Sequence, residues 1–134
     1  MKAIKLINFD YYKENDGDLV VAEGHSDNVP FSIARIFNVR ANKGSTRGRH
    51  AHRECTQLLI CTNGEVKVIC DDGKETSIYI LDKPNLGLLI VPGIWSEQKY
   101  IKENTVLTVI CDSPYSEADY IRNYKYFLKY KHGK

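Results

Sequence analysis

Apolar residues in this chain come in short runs, many alternating with polar ones, and the runs are separated by regular punctuation. Alternation with a period of two puts the apolar side chains on one face of an extended strand, so each run predicts a strand. The candidates are 3–9, 18–23, 32–39, 58–61, 65–70, 75–81, 87–91, 96–101 and 105–111. Asn63-Gly64, Asp72-Gly73, Lys83-Pro84-Asn85, Pro92-Gly93 and Glu103-Asn104 read as turns between them. Short strands about ten residues apart, with no helical periodicity between them, predict an all-β antiparallel sandwich or barrel.

Four stretches add detail. The run Leu58-Leu59-Ile60-Cys61 ends at Asn63-Gly64 and predicts a strand followed by a tight hairpin turn. The segment 32–39 is apolar at both parities, which predicts a strand buried on both faces. Arg35 lies inside it, and because burying a lone charge is costly, it faces either a ligand or a structural carboxylate. The polar loop Lys13-Glu14-Asn15-Asp16-Gly17 divides the first two strands. From Asp119 to Tyr130 the period changes: Ile121, Tyr124, Phe127 and Leu128 recur at helical spacing and predict a short amphipathic helix packed on the β domain.

Composition narrows the picture. At 134 residues the chain is expected to form one domain, 1–134, with core enough to fold without staples. Nineteen Lys and Arg against 17 Asp and Glu give a net charge of +2, too little for a nucleic-acid or membrane protein. No run is long and apolar enough to span a bilayer and the N-terminus has no leader pattern, so a cytoplasmic protein is expected. Cys55, Cys61, Cys70 and Cys111 show no C-x-x-C spacing and read as buried free thiols. His25 and His132 read as exposed bystanders.

The candidate chemistry centres on Arg47-Gly48-Arg49-His50-Ala51-His52. If this segment is extended, His50 and His52 project to the same face, and one concave surface would hold both imidazoles.

The spacing Gly44, His50-x-His52, Gln57 and Gly64 resembles the first signature of the cupin superfamily, which implies a jelly-roll β-barrel with its site inside. Metal-binding cupins carry glutamate in the place of Gln57 and a third histidine after the later Pro-Gly turn, where this chain has Pro92-Gly93-Ile94-Trp95-Ser96-Glu97. Only Glu97 could complete a metal site with the two histidines, and no metal is expected. A longer pattern resembles the sugar-nucleotide 3,4-ketoisomerases that act on dTDP-4-keto-6-deoxyglucose. Its pieces include Pro30-Phe31-Ser32-Ile33-Ala34-Arg35, Arg47-Gly48-x-His50-Ala51-His52, Asp71-Asp72-Gly73, Pro92-x-x-Trp95 and Asp119-Tyr120-Ile121-Arg122.

That resemblance implies a cofactor-free homodimer with exchanged N-terminal strands, in pathways to the 3-amino-3,6-dideoxyhexoses of surface polysaccharides. Tyr11 and Tyr12 would then be able to reach a neighbouring subunit's pocket. It also implies that His50 takes the C3 proton and His52 moves protons between the oxygens, or the reverse. Arg47 would neutralise enediolate or diphosphate charge, and Gln57 would bond a sugar hydroxyl or orient a histidine. Trp95 would be a stacking surface or a rim aromatic. Ser96 and the Asp16-Gly17 loop depart from the family pattern at positions expected to influence the C4 configuration of the product. A metal-dependent cupin enzyme and a non-catalytic sugar-nucleotide-binding cupin are the alternatives.

Overall fold

The run Leu58 to Cys61 becomes the middle of a central strand, and burial on both of its faces explains its lack of alternation. The computed structural model describes residues 4–133. In chain order the strands are β1 Ile4–Asn8, β2 Asp10–Glu14, β3 Gly17–Val21, β4 Arg35–Arg40, β5 Thr46–His52 and β6 Gln57–Asn63. They continue as β7 Val66–Asp71, β8 Thr76–Leu81, β9 Leu86–Ile90, β10 Trp95–Tyr100, β11 Val106–Cys111 and β12 Tyr120–Ile121, before helix α1 Tyr124–His132. One antiparallel sheet has the order β1-β9-β6-β11-β4 and the other β12-β5-β10-β7-β8, with β2-β3 a separate hairpin. They form the two halves of the expected β-barrel.

Leu59, Val68, Leu88, Tyr100, Leu107 and Cys111 meet between the sheets, each at most 2% exposed. The opposite face of β6 and β11, with Leu58, Ile60 and Ile110, is covered by Phe9, Val29 and Phe31 from the N-terminal chain. All four cysteines are buried and unpaired. Among the described residues no helix is long and apolar enough to cross a membrane.

Four expectations change. Asn63-Gly64 is no hairpin: β6 and β7 belong to different sheets, so Gly64, at φ +89, turns the chain across the barrel. Periodicity sees the turn but not which strands it joins. The strand expected over 32–39 is the edge strand β4, with Ile36 57% exposed, so only its Arg35-Phe37-Val39 face is covered. Strand β2 runs into the expected loop; all five of its residues are exposed, which leaves no apolar alternation to read. The expected helix begins only at Tyr124, where the Asn123 side chain accepts from the Tyr126 amide at 2.9 Å. Ile121 mimicked helical spacing because it and Phe127 enter the same cluster around Trp95, one from a strand and one from the helix.

His25 is exposed, as expected; His132 contacts the Gly73 carbonyl at 2.6 Å and ties the helix end to the β7–β8 turn. Phe127, fully buried against Trp95, fixes α1 to the sheet. Phe127→Ala should cost about 3–5 kcal/mol in urea unfolding, read through the fluorescence of the single tryptophan.

Candidate active site

Strand β5 carries the chemistry, and one irregularity in it decides where the side chains point. In its pairing with β10, Ser96 faces His50, Glu97 faces Gly48 and Gln98 faces Arg47, which leaves Arg49 as an extra residue in a bulge. Gly48 and Arg49 both have positive φ, at 85° and 60°. A regular strand would send Arg47 and His50 to opposite faces; the bulge restores them to the same side, and both line one cavity. A Cβ at 48 would in addition lie 2.3 Å from Gln98 Oε1, so any larger residue there would push the Gln98 amide aside.

The cavity, of about 210 Å³, lies inside the barrel. Its polar wall is Arg47, His50, Gln57, Gln98, Tyr100 and Tyr120, with Arg122 beside Tyr120, and Phe37, Leu59 and Val109 form the apolar side. It is smaller than the roughly 300–1,000 Å³ of a drug-sized pocket, and suits a sugar ring better than a whole nucleotide sugar. A larger surface hollow of about 400 Å³ between Arg40 and Val106 contains neither a histidine nor an orphaned polar atom.

His52 stands directly behind His50, the two rings edge-on with centroids 5.0 Å apart. The Tyr120 ring packs on both, 5.0 Å from His50 and 4.4 Å from His52. The Asp119 carboxylate lies 2.8 Å from His52 Nδ1 and also accepts from the Glu54 amide at 2.6 Å. That bond keeps the proton on Nδ1 and leaves Nε2 as the basic nitrogen. Tyr120 is covered in turn by the Arg122 guanidinium, 4.1 Å from its ring, which Glu117 holds by two bonds of 2.8 and 3.0 Å.

Burial, and then the neighbouring His52, lower the His50 pKa to about 4, so this imidazole is neutral at pH 7. Burial also lowers His52, against the opposing pull of Asp119. Asp119 resists its own burial through its bonds to His52 and Glu54 and stays below the ordinary carboxylate range. Among the described residues, His52 Nε2, Tyr100 Oη and Arg35 Nε are buried polar atoms with no partner, whereas the His50 ring meets the Gly48 backbone. Orphans cost about 1–3 kcal/mol each, and their presence on both sheets around this cavity marks where a polar ligand belongs.

Of the expected site residues, His50, Arg47 and Gln57 line the cavity and His52 backs it. Arg35 lies at its edge over the Phe37 and Tyr115 rings; its Nη2 reaches Cys111 Sγ at 3.6 Å, and among the described residues no carboxylate pairs with it. Trp95 lies outside, a correction that follows from strand parity. Because His50 and Ser96 point inward, their neighbours Ala51 and Trp95 point outward, where Trp95 is buried beneath Tyr124 and Phe127.

Glu97 is also outside, accepting from Trp95 Nε1 at 3.0 Å, so it cannot join the histidines around an ion. Among the described residues only His52, Cys55 and Asp119 bring ligand atoms within 4.8 Å of one another. They fit an ion poorly: Asp119 is committed to His52 Nδ1, and the Cys111 contact and burial raise the Cys55 pKa, keeping it a neutral thiol.

From the sequence alone Asp119, Tyr120 and Arg122 carry no individual role, because the apparent helical period covers them, although Asp119-Tyr120-Ile121-Arg122 stands out as a motif. Gln98 and Tyr100 gave no signal beyond alternation.

The chain matches, over residues 2–132, the family described as "FdtA: WxcM-like, C-terminal". It is 40% identical over 127 residues, 94% of this chain and 91% of the relative, to the TDP-4-oxo-6-deoxy-alpha-D-glucose-3,4-oxoisomerase of Aneurinibacillus thermoaerophilus. A histidine-to-asparagine variant of the 3,4-ketoisomerase QdtA from Thermoanaerobacterium thermosaccharolyticum, in complex with TDP-4-keto-6-deoxyglucose, superposes with a TM-score of 0.94. Its identity is 34%, with 100% of this chain and 97% of that chain covered. The 3,4-ketoisomerase from Helicobacter canadensis gives 0.91 at 35% identity, covering 96% and 97% of the two chains. The chain belongs to the sugar-nucleotide 3,4-ketoisomerase family. It is an enzyme, and its barrel is the cupin-like fold of those ketoisomerases.

The ketoisomerase's stability should depend on His50. Between pH 6.5 and about 4 the unfolded chain binds a proton at this histidine and the folded one does not, so stability falls as pH drops through that window. His50→Asn should flatten this acid limb, removing on the order of 3 kcal/mol of its pH dependence in urea titrations at pH 7 and pH 4.

Proposed function

We propose that this protein converts dTDP-4-keto-6-deoxyglucose into a dTDP-3-keto-6-deoxyhexose through an enediol, with His50 as the base at C3. The observation that carries this is a neutral, half-buried His50 in a sugar-sized cavity, backed by a histidine whose tautomer Asp119 fixes. The activity of the 40%-identical relative and the keto sugar in the QdtA complex support the substrate class.

His50 takes the C3 hydrogen as a proton. The electron pair of that bond forms the C3=C4 double bond, and the C4 carbonyl oxygen gains a proton. Return of a proton to C4, with loss of the proton on the C3 oxygen, leaves the ketone at C3. Electrons never leave the sugar, so the step needs proton movers rather than a redox cofactor. His52 and Tyr120, packed on His50, serve the oxygen protons; Arg35, beside Tyr120, steadies enediolate charge. Gln57 bonds a sugar hydroxyl, and the exposed cations Arg47 and Arg122 meet the diphosphate. The 3-keto product is the form that amination at C3 consumes, consistent with a cytoplasmic step toward 3-amino-3,6-dideoxyhexoses.

The active enzyme is a homodimer with exchanged N-terminal strands. Supporting this, Leu6, Leu19 and Ile36 are 51%, 59% and 57% exposed on the N-terminal strands and the unpaired edge β4. Such apolar surface at a sheet edge calls for a cover.

In deuterated buffer the wild-type protein should give a new keto isomer by NMR with deuterium incorporated, while His50→Asn slows the C3 exchange by about 10²–10⁴-fold with an unchanged circular dichroism spectrum. Exchange retained in that variant would remove His50 from the role of base, and a wild-type protein that binds the sugar without converting it would be a binding cupin. Light scattering should give twice the 15.3 kDa chain mass, and a monomer would eliminate the strand exchange.

A further inference from the structure

Tyr100 is fully buried, yet its hydroxyl has no hydrogen-bond partner and its side chain lines the cavity. Its backbone is held on both sides, with the Tyr100 amide donating to the Ser45 carbonyl at 2.9 Å and its carbonyl accepting from the Gly44 amide at 2.7 Å. The ring direction is therefore set by the sheet. Burial pushes the hydroxyl up to about 12, with nearby Arg47 pulling the other way, so it stays a neutral donor at any physiological pH. Arg47 itself makes no hydrogen bond or ion pair to another described residue and lines the same cavity.

Position along β10 says which part of a ligand this pair meets. Ser96 is the residue opposite His50 in the pairing, and Tyr100 stands four residues further on. At the usual rise that is ~13 Å along the strand, more than the width of a sugar ring. Gln98, opposite Arg47, lies between them. The two ends of the cavity thus serve different parts of one substrate.

We propose that Tyr100, together with Arg47, is a substrate-positioning pair that holds an oxygen on the side of the nucleotide sugar remote from the reacting carbons. This rests on the ketoisomerase reading given above. A neutral donor beside a guanidinium selects an electron-rich oxygen, either on the diphosphate next to the anomeric carbon or on the sugar itself. Tyr100 touches neither C3 nor C4; by anchoring the remote side it sets where those carbons stand against His50.

Tyr100→Phe removes only the hydroxyl and keeps the ring in the core. The expected result is a KM for dTDP-4-keto-6-deoxyglucose raised about fivefold or more with kcat within about twofold, and a melting temperature of the free protein that does not fall. Calorimetric titration with TDP separates the two sources. Weakened TDP binding places the oxygen on the diphosphate, whereas weakened nucleotide-sugar binding with unchanged TDP binding places it on the sugar. Arg47→Met combined with Tyr100→Phe should lose less than the product of the single losses, because both variants release one oxygen. An unchanged KM with unchanged dissociation constants would overturn the assignment and leave the hydroxyl to a trapped water. A melting temperature lowered by several degrees would also overturn it, by showing that the hydroxyl is bonded within the protein. A wild-type protein that fails to isomerise the sugar defeats the proposed reaction instead, and the two dissociation constants then decide the hydroxyl's role.

Discussion

The site depends on a single interruption of strand alternation. Along a regular β5, residues 48, 50 and 52 would share one face and Arg47 the other. The bulge at Gly48-Arg49 shifts the register by one residue, so a cation and an imidazole that alternation would separate face the same cavity. The backbone cost of two successive positive-φ residues is concentrated there, one of them an arginine. The same step fixes what lies outside: Ala51, Trp95 and Ile121 face the helix, which seals the back of the strand that bears the histidines. A helix outside the cavity therefore takes part in holding the histidine-bearing wall in place.

Polar groups are expensive inside such a barrel, and this one divides the cost in two ways. Where orientation matters, the group is tied down: His52 by Asp119, Asp119 by the Glu54 amide, Arg122 by Glu117. Where a ligand is to be met, the group is left open, as at Tyr100 Oη. Gln57 belongs to both kinds, with its Nε2 donating to Cys111 Sγ at 3.5 Å, which leaves its carbonyl oxygen free. Bonded groups behind and unbonded groups in front give the wall its direction.

Much of this was legible in the sequence, for identifiable reasons. Strands with one covered face announced themselves by alternation, and His50-x-His52 placed two imidazoles together by the same rule. What could not be read was anything set by partners distant in sequence. Asn63-Gly64 has the residues of a hairpin but joins two sheets, and Trp95 seemed a site residue until its pairing with Asp71 and the inward turn of Ser96 fixed its parity. Ile121 was drawn into a helix because its burial against Phe127 imitated the helical period. With it went Asp119 and Tyr120, the residues that complete the histidine pair.

In the reaction proposed above, a base as weak as His50 in the free enzyme suits an isomerisation better than a strong one would. The proton it takes from C3 has to be given back at C4, to a carbon of almost the same acidity. A strongly basic group would hold that proton and stall at the enediol, so the burial that weakens His50 also readies its conjugate acid to donate. The difficulty then moves to the first step, where a feeble base meets a carbon acid, and there the surroundings must lower the energy of the enediolate. In that proposal Arg35, beside Tyr120, and the polar face of Gln57 are the groups that meet the negative charge on the sugar oxygens. Weak base and charge-ready wall are thus two halves of one requirement, both following from histidines set inside a barrel rather than on its surface.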